Sequence, residues 1–119
     1  MGEAILARAT GGGGGAKIAY GSIKGNSSPS LVIENVDFIP THAIIFHPKD
    51  TTGYYYGIHT VVYNPTTNIV RYAQYGDPYT KSDCVSFSLS GTSLTVNSGL
   101  SSTFQFYYES TYYYLLTSE

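Results

Sequence analysis

The sequence predicts an all-β fold, an antiparallel β-sandwich of the jelly-roll or immunoglobulin-like kind, with about nine or ten short strands. Three observations predict it. The chain of 119 residues suits one domain with one core. Its 13 Tyr and 5 Phe stand among many Ser, Thr and Gly, and aromatic and β-branched residues favour strands. Turn-forming residues recur at intervals of about eight to twelve positions, as in sandwiches and small barrels.

The N-terminal segment is predicted to be separate from the rest. Glu3 to Ala9 has the pattern of a short apolar strand, and five consecutive glycines, Gly11 to Gly15, follow it. A glycine run is costly to order and acts as a hinge. We therefore divide the chain into an arm (residues 1–10), a hinge (Gly11, Gly12, Gly13, Gly14, Gly15) and a β-sandwich domain (16–119). The alternative is an ordinary first strand of the same sheet, joined by a loop.

Candidate strands follow the hinge in order. The first three are Ala16–Ser22, Ser30–Val36 and Thr41–His47. The third contains the continuous apolar run Ala43 to Phe46, which is typical of a strand covered on both faces. A longer strand is expected over Gly53–Asn64. Strict alternation would place Tyr54, Tyr56, Ile58 and Val62 on one face and Tyr55, His59, Val61 and Tyr63 on the other.

The remaining strands follow turn signals. Ile69–Tyr75 is the expected hairpin partner of the long strand, and Gly76-Asp77-Pro78 is expected to end it as a turn. Residues 83–97 predict a hairpin with one polar face. Phe104, Phe106 and Tyr108 alternate with polar neighbours as in a strand, and Tyr112–Leu116 predicts a final aromatic strand.

Composition argues against several classes of function. Only 12% of residues are charged, the net charge is -2 and no basic run is present, so we expect no nucleic-acid partner. No window reaches the ~20 apolar residues of a membrane span, so no membrane insertion is expected. The start Met1 to Ala4 lacks a basic signal-peptide region, which favours synthesis in the cytoplasm. The single cysteine, Cys84, predicts no intrachain disulfide.

The residues that could carry chemistry do not converge. The aspartates lie in turns or at strand ends, where Asp commonly serves the local backbone. His42 and His47 are five positions apart on one strand and face opposite sides, although one of them could meet His59 across a hairpin. The glutamates outside the termini, Glu34 and Glu109, have no pattern that brings them together. We therefore predict no catalytic residue, no metal site and no cofactor, and a non-enzymatic protein.

Two tyrosine runs stand out: Tyr54, Tyr55, Tyr56 and Tyr112, Tyr113, Tyr114. Neighbours in a strand face opposite sides, so these tyrosines cannot all point inward. Tyr offers large contact area with a polar tip, which suits subunit interfaces and sugar stacking. Three interpretations stay open: core and rim packing, an intersubunit interface, or a glycan site.

The chain resembles small tail, fibre and appendage proteins of phages of Gram-positive bacteria. The opening Met1 to Ala9 followed by glycines looks like the start of many short phage minor structural proteins. Ser30 to Phe46 is similar to a recurring pattern of that group, an apolar strand, a Gly-Phe-x-Pro-like turn and a second apolar strand, with Asp37 where Gly is frequent. Tyr112 to Leu116 resembles the aromatic last strand of those domains.

The resemblance implies a virion component made in the host cytoplasm and built into a tail tip, baseplate, fibre or appendage, or into a phage-tail-like particle. It implies a symmetric homo-oligomer, with a trimer favoured. The segment expected to attach to another particle protein comprises Ala4, Ile5, Leu6, Ala7 and Arg8. Two alternatives are a module that binds host cell-wall glycans and a head decoration protein.

Overall fold

A computed structural model describes residues 5–8, 16–48, 56–108 and 110–118. These residues form ten strands and no helix. The strands are β1 (Ile5–Arg8), β2 (Lys17–Lys24), β3 (Ser30–Glu34), β4 (His42–Phe46), β5 (Tyr56–Tyr63), β6 (Asn68–Gln74), β7 (Asp77–Ser82), β8 (Ser86–Ser90), β9 (Ser93–Asn97) and β10 (Thr111–Ser118).

The strands form two sheets. One has seven strands in the order β1-β2-β10-β4-β5-β6-β7, and the other has three in the order β3-β9-β8. Every strand pair is antiparallel. The predicted all-β antiparallel architecture of two sheets is therefore confirmed, whereas the unequal division into seven and three strands could not be predicted.

The core consists of side chains that alternate inward from both sheets, supplemented by residues from the connecting loops. On β10, for example, Tyr112, Tyr114 and Leu116 are buried, whereas Tyr113 and Leu115 are exposed. Tyr112 also links β10 to β5 and to the loop before β10: its hydroxyl donates to the backbone oxygen of Ile58 and accepts from the N–H of Tyr107 at 3.0 Å. The inward faces of the seven-stranded sheet are thus fixed by period-two burial.

The strict alternation predicted for residues 53–64 is wrong at His59. The register shifts between Ile58 and Thr60, so Ile58 pairs with Tyr72 and Thr60 with Arg71. Such a β-bulge places one extra residue on β5. Ile58 and Val61 are consequently both fully buried, although strict alternation assigned them to opposite faces.

The turn predicted at Gly76-Asp77-Pro78 is present at Gly76, but Asp77 and Pro78 belong to a strand that was not predicted. Tyr75 and Gly76 make a two-residue turn, both with positive φ (55° and 83°), and the chain returns at once as β7. A proline within a strand argues against a central position, but it is tolerated on an edge. β7 is such an edge strand, and all its residues are exposed.

No strand forms over residues 104–108. Phe106 is fully buried in the core, and Gln105 makes one isolated parallel bridge with Gly57. The backbone of this segment bonds instead to a loop and to β5: Phe106 N–H donates to the backbone oxygen of Ser28 at 2.8 Å, and Ile58 N–H donates to that of Gln105 at 2.8 Å. Alternating aromatics therefore predicted the correct burial but the wrong backbone state.

Candidate interaction surface

The surface that stands out is the side of the seven-stranded sheet that faces away from the three-stranded sheet, here called the outer face. Its central strands carry five exposed large apolar side chains. They are Tyr20 (39% exposed), Ile44 (45%), Phe46 (39%), Tyr113 (45%) and Leu115 (42%). They come from β2, β4 and β10, which are neighbours in the sheet.

The strand register arranges the outer face in rows. One apolar row crosses five adjacent strands, because each residue is the direct cross-strand partner of the next: Tyr20, Leu115, Ile44, Val62 and Ile69. In the row beside it, Tyr113 pairs with Phe46, with ring centroids 6.0 Å apart. Thr60 and Arg71 continue this second row. The two rows form one contiguous apolar patch.

This patch revises the prediction that β4 is covered on both faces. Ala43 and Ile45 are buried against the core, but Ile44 and Phe46 are nearly half exposed. Within the described residues, nothing covers the outer side of β4. Although its composition is that of a fully buried strand, β4 thus has one face in solvent. Contiguous exposed apolar patches of this kind mark interaction sites.

Charge is sparse on the outer face. Among the described residues whose strand position faces outward, Lys24 and Arg71 carry positive charge and none is Asp or Glu. Lys24 lies near one end of β2, and Arg71 lies on β6 at the other side of the patch. A patch with an uncharged centre resembles the core of a protein interface, where charged residues are depleted and aromatic ones enriched.

The two tyrosine runs do not act as units. Tyr54 and Tyr55 lie outside the described residues. Tyr56 is half-buried, and its hydroxyl donates to that of Tyr75 at 2.7 Å, a bond that raises the pKa of Tyr56. Tyr112 and Tyr114 belong to the core, and burial raises the pKa of Tyr114. Tyr113 alone of the described run members lies on the outer face.

The other members of the patch were not predicted from the sequence. Tyr20, Ile44, Phe46 and Leu115 are isolated in sequence and meet only through strand pairing. A signal was present in β4 and β10, since both are apolar at consecutive positions. The sequence did not indicate the strand order that brings these residues together.

The predicted attachment segment takes its place at the edge of the seven-stranded sheet. Ala4 and the hinge Gly11 to Gly15 lie outside the described residues. Ile5, Leu6, Ala7 and Arg8 form β1, which pairs with β2 from Ile5–Tyr20 to Arg8–Lys17. This pairing is the alternative considered for the N-terminus, and attachment to another protein stays a prediction.

The histidines meet only in part. His47 follows β4 and is fully buried, and its ring lies 4.9 Å from that of His59 and 5.0 Å from that of Tyr112, measured between centroids. The expected approach of one histidine to His59 is therefore confirmed. His42 lies at the other end of β4. In the described part of the chain, no group of three or more His, Cys, Asp or Glu could hold a metal ion.

A second surface feature is a groove at the β5–β6–β7 end of the seven-stranded sheet. Its volume is about 430 Å³, and it is lined by His59, Arg71, Tyr72, Pro78, Tyr79 and Thr80. Tyr72 and Tyr79 are cross-strand partners whose rings stack, with centroids 5.7 Å apart and an interplanar angle of 25°. The groove combines aromatic rings with hydrogen-bond donors.

Comparisons with known proteins add no relative. No family model, no curated protein and no solved structure matches the chain. In the described ranges, no helix has the length and apolar character needed to cross a membrane. The outer face and the groove must therefore be interpreted from their own chemistry.

Proposed function

We propose that the chain is a non-enzymatic structural subunit of a phage particle or phage-tail-like particle, located in a tail tip, baseplate, fibre or appendage. The outer face is the observation that supports this most strongly, because its five exposed large apolar side chains suit contact with protein. A small sandwich with such a face is suited to binding other protein subunits. The resemblance of the sequence to phage structural proteins indicates that the assembly is a phage or phage-tail-like particle.

The free edge at β1 supports the same proposal. β1 is four residues long and, among the strands that the structure describes, has one neighbour, β2. Five glycines in the connection to β2 make the ordering of that connection entropically costly. A short apolar edge strand can instead add to the sheet of another protein, because main-chain hydrogen bonds provide affinity without a prebuilt pocket. We propose that Ile5–Arg8 attaches the subunit in this way.

A truncated chain tests the attachment. Deleting residues 1–10 removes β1, and we expect particles assembled with this chain to lack the subunit, measured by mass spectrometry of purified particles. The isolated truncated domain should keep its β-type circular dichroism, because the core residues for which the structure describes burial lie between Ala19 and Leu116. Deleting residues 2–3 is the matched control and should preserve incorporation. Normal incorporation without residues 1–10 would contradict the attachment proposal.

The groove supports a second candidate function, binding of host cell-wall glycans. Aromatic faces stack on sugar rings, and the side chains of Arg71, His59 and Thr80 can bond to hydroxyl or acidic groups. Tyr79 is 44% exposed and offers a ring at the groove. This location differs from the tyrosine runs that the sequence indicated.

Binding of purified cell-wall polysaccharide by the full chain tests the glycan candidate. If the groove binds sugar, Tyr79→Ala should weaken binding by about tenfold or more, since stacking contacts of this kind contribute on the order of 1 kcal/mol or more. Tyr108→Ala, which changes a somewhat more exposed tyrosine (55%) outside the groove, is the control. Equal binding by both variants, or no binding by the unchanged chain, would exclude the groove as a glycan site.

A further inference from the structure

We propose that the outer face binds the outer face of a second copy of this chain, forming a two-fold symmetric dimer in which two seven-stranded sheets pack face to face. The inference rests on the proposed function, because it names the partner that the outer face takes in assembly. It differs from the trimer that the sequence resemblance favoured.

The size of the outer face suits this partner. Strands β2, β5 and β10 are eight residues long and the other four have four to seven. With a rise of about 3.4 Å per residue and about 4.8 Å between strands, the sheet has a flat area of roughly 750 Å². A stable interface takes about 800 Å² from each partner. One sheet face thus provides most of the area that a dimer requires, even where β7 has no strand opposite it.

The apolar area of the outer face also matches that of a protein interface. The five large side chains are 39–45% exposed, so they present roughly 400 Å² if a fully exposed one presents about 200 Å². That is about half of a standard interface, close to the apolar share of about 57% found in protein interfaces. Val62 and Ile69, both partly exposed, extend the apolar row. The patch is therefore large enough to form the centre of the interface.

A two-fold axis makes the face complementary to itself. We place the axis parallel to the strands, between β10 and β4, with the sheets aligned as in a sandwich. The strand order then sets β10 over β4 and β2 over β5 of the second copy. In the apolar row, Leu115 lies over Ile44 and the larger Tyr20 lies over the smaller Val62. In the next row, Tyr113 lies over Phe46.

The few charges agree with this arrangement. Lys24 is on β2 and Arg71 is on β6, and the axis carries β2 to β5 and β6 to β1. Neither cation meets its own symmetry copy or the other cation. Both stay at the rim, where interfaces are polar and solvent-accessible.

Protein fits the centre of this face better than glycan does. Leu115 and Ile44 are aliphatic and occupy the middle of the row, and the described outward positions carry no carboxylate or side-chain amide on β2, β4, β5, β6 or β10. Sugar hydroxyls need hydrogen-bond partners when they lose water, and aliphatic side chains supply none. Aliphatic side chains need only apolar surface, which a second copy supplies.

The oligomeric state of the purified full chain tests the proposal. We expect sedimentation and native mass measurements to give a dimer, twice the chain mass of 12.9 kDa. Ile44→Lys and Leu115→Lys should each raise the dimer dissociation constant about 30-fold or more, because each inserts a charge at the centre of the interface. Ile44→Thr, which keeps a β-branched side chain, should raise it less.

Val32→Lys is the matched control. Val32 is 38% exposed and lies on the outer side of β3 in the other sheet, so this change should leave the dimer intact. A chain that stays monomeric up to about 100 µM would overturn the proposal. A trimer, or any oligomer that both lysine variants leave intact, would also overturn it.

The oligomeric state is measured on purified protein, whereas the proposed function is tested by the composition of particles. A negative result for the dimer can therefore be distinguished from a negative result for the proposed function. Polysaccharide binding that Ile44→Lys abolishes in a monomeric chain would assign the outer face to a glycan and overturn the dimer. A dimer that never enters particles would leave the partner assignment correct and the particle role wrong.

Discussion

The outer sides of the two sheets differ sharply in chemistry. On the three-stranded sheet, the outward rows join Val32 to Thr95 and Ser88, and Glu34 to Ser93 and Ser90. The hydroxyl of Ser93 donates to the Glu34 carboxylate at 2.5 Å. This side is hydroxyl-rich, whereas the outer face of the seven-stranded sheet carries aromatic and aliphatic rows. Two sheets that share one core thus present different chemistry to solvent: one outer side is polar and the other is largely apolar.

The largest expected difference in the free energy of unfolding is between variants on the inner and the outer side of a single strand, β10. Leu116 is fully buried on β10, and its neighbour Leu115 is 42% exposed. Leu116→Ala should lower the free energy of unfolding by about 2–5 kcal/mol through lost burial and a cavity. Leu115→Ala should cost less than about 1 kcal/mol in the monomer. Urea unfolding at low protein concentration measures both, and equal losses would contradict the assignment of faces.

A smaller effect is expected for Tyr112→Phe. The change keeps the ring in the core but removes the hydroxyl that serves Ile58 and Tyr107. Leaving buried backbone groups without this partner should lower the free energy of unfolding by about 1–3 kcal/mol. Tyr113→Phe, one position away on the outer face, should have a loss within about 0.5 kcal/mol. If thermal unfolding ranks the two variants in the opposite order, the hydroxyl of Tyr112 has no such role.

The dependence of stability on alkaline pH should report on Tyr114, on the inner side of β10. Burial raises the pKa of Tyr114 above 10.0, so the folded state holds this proton more tightly than the unfolded chain does. The associated stability is present below the ordinary tyrosine pKa of about 10 and is lost as pH rises through the folded value. Comparing urea unfolding near pH 9 and pH 11, Tyr114→Phe should show a smaller loss than the unchanged chain. An identical loss in both chains would refute this contribution.

The smallest effect is expected on the hydroxyl-rich side. Ser88 and Thr95 are cross-strand partners there, and a lysine at either position extends into solvent. Ser88→Lys should change the free energy of unfolding by no more than about 0.5 kcal/mol. It should also leave the oligomeric state unchanged, in contrast to Ile44→Lys. Loss of the dimer in Ser88→Lys would mean that the two sides do not divide their roles as proposed.

Period-two patterns predicted most strands because they record burial directly. The hairpin of β8 and β9, with Gly91-Thr92 as its turn, was recognised from residues that alternate polar and apolar. β10 was recognised from its aromatic run, and its alternating burial is confirmed. In both cases the local sequence contains the whole signal, since adjacent residues face opposite sides.

Features that depend on non-local pairing could not be predicted. β7 has no buried residue and contains Pro78, so only its pairing with β6 identifies it as a strand. The bulge at His59 changes the face of every residue beyond it. The outer face joins β2, β4 and β10, which are far apart in the chain. The sequence therefore indicated the tyrosine runs as possible contacts, whereas the patch depends on strand order.

The proline in β7 bears on the direction in which copies can accumulate. Pro78 has no N–H and Lys81 adds a charge, so this margin of the sheet is a poor template for a further strand. Lateral growth into long ribbons is thereby hindered at this margin. The proposed contact through the outer face would instead close after two copies, since a symmetric contact uses up its own surface. Under that proposal, contact between copies favours closed dimers over growth at the β7 margin.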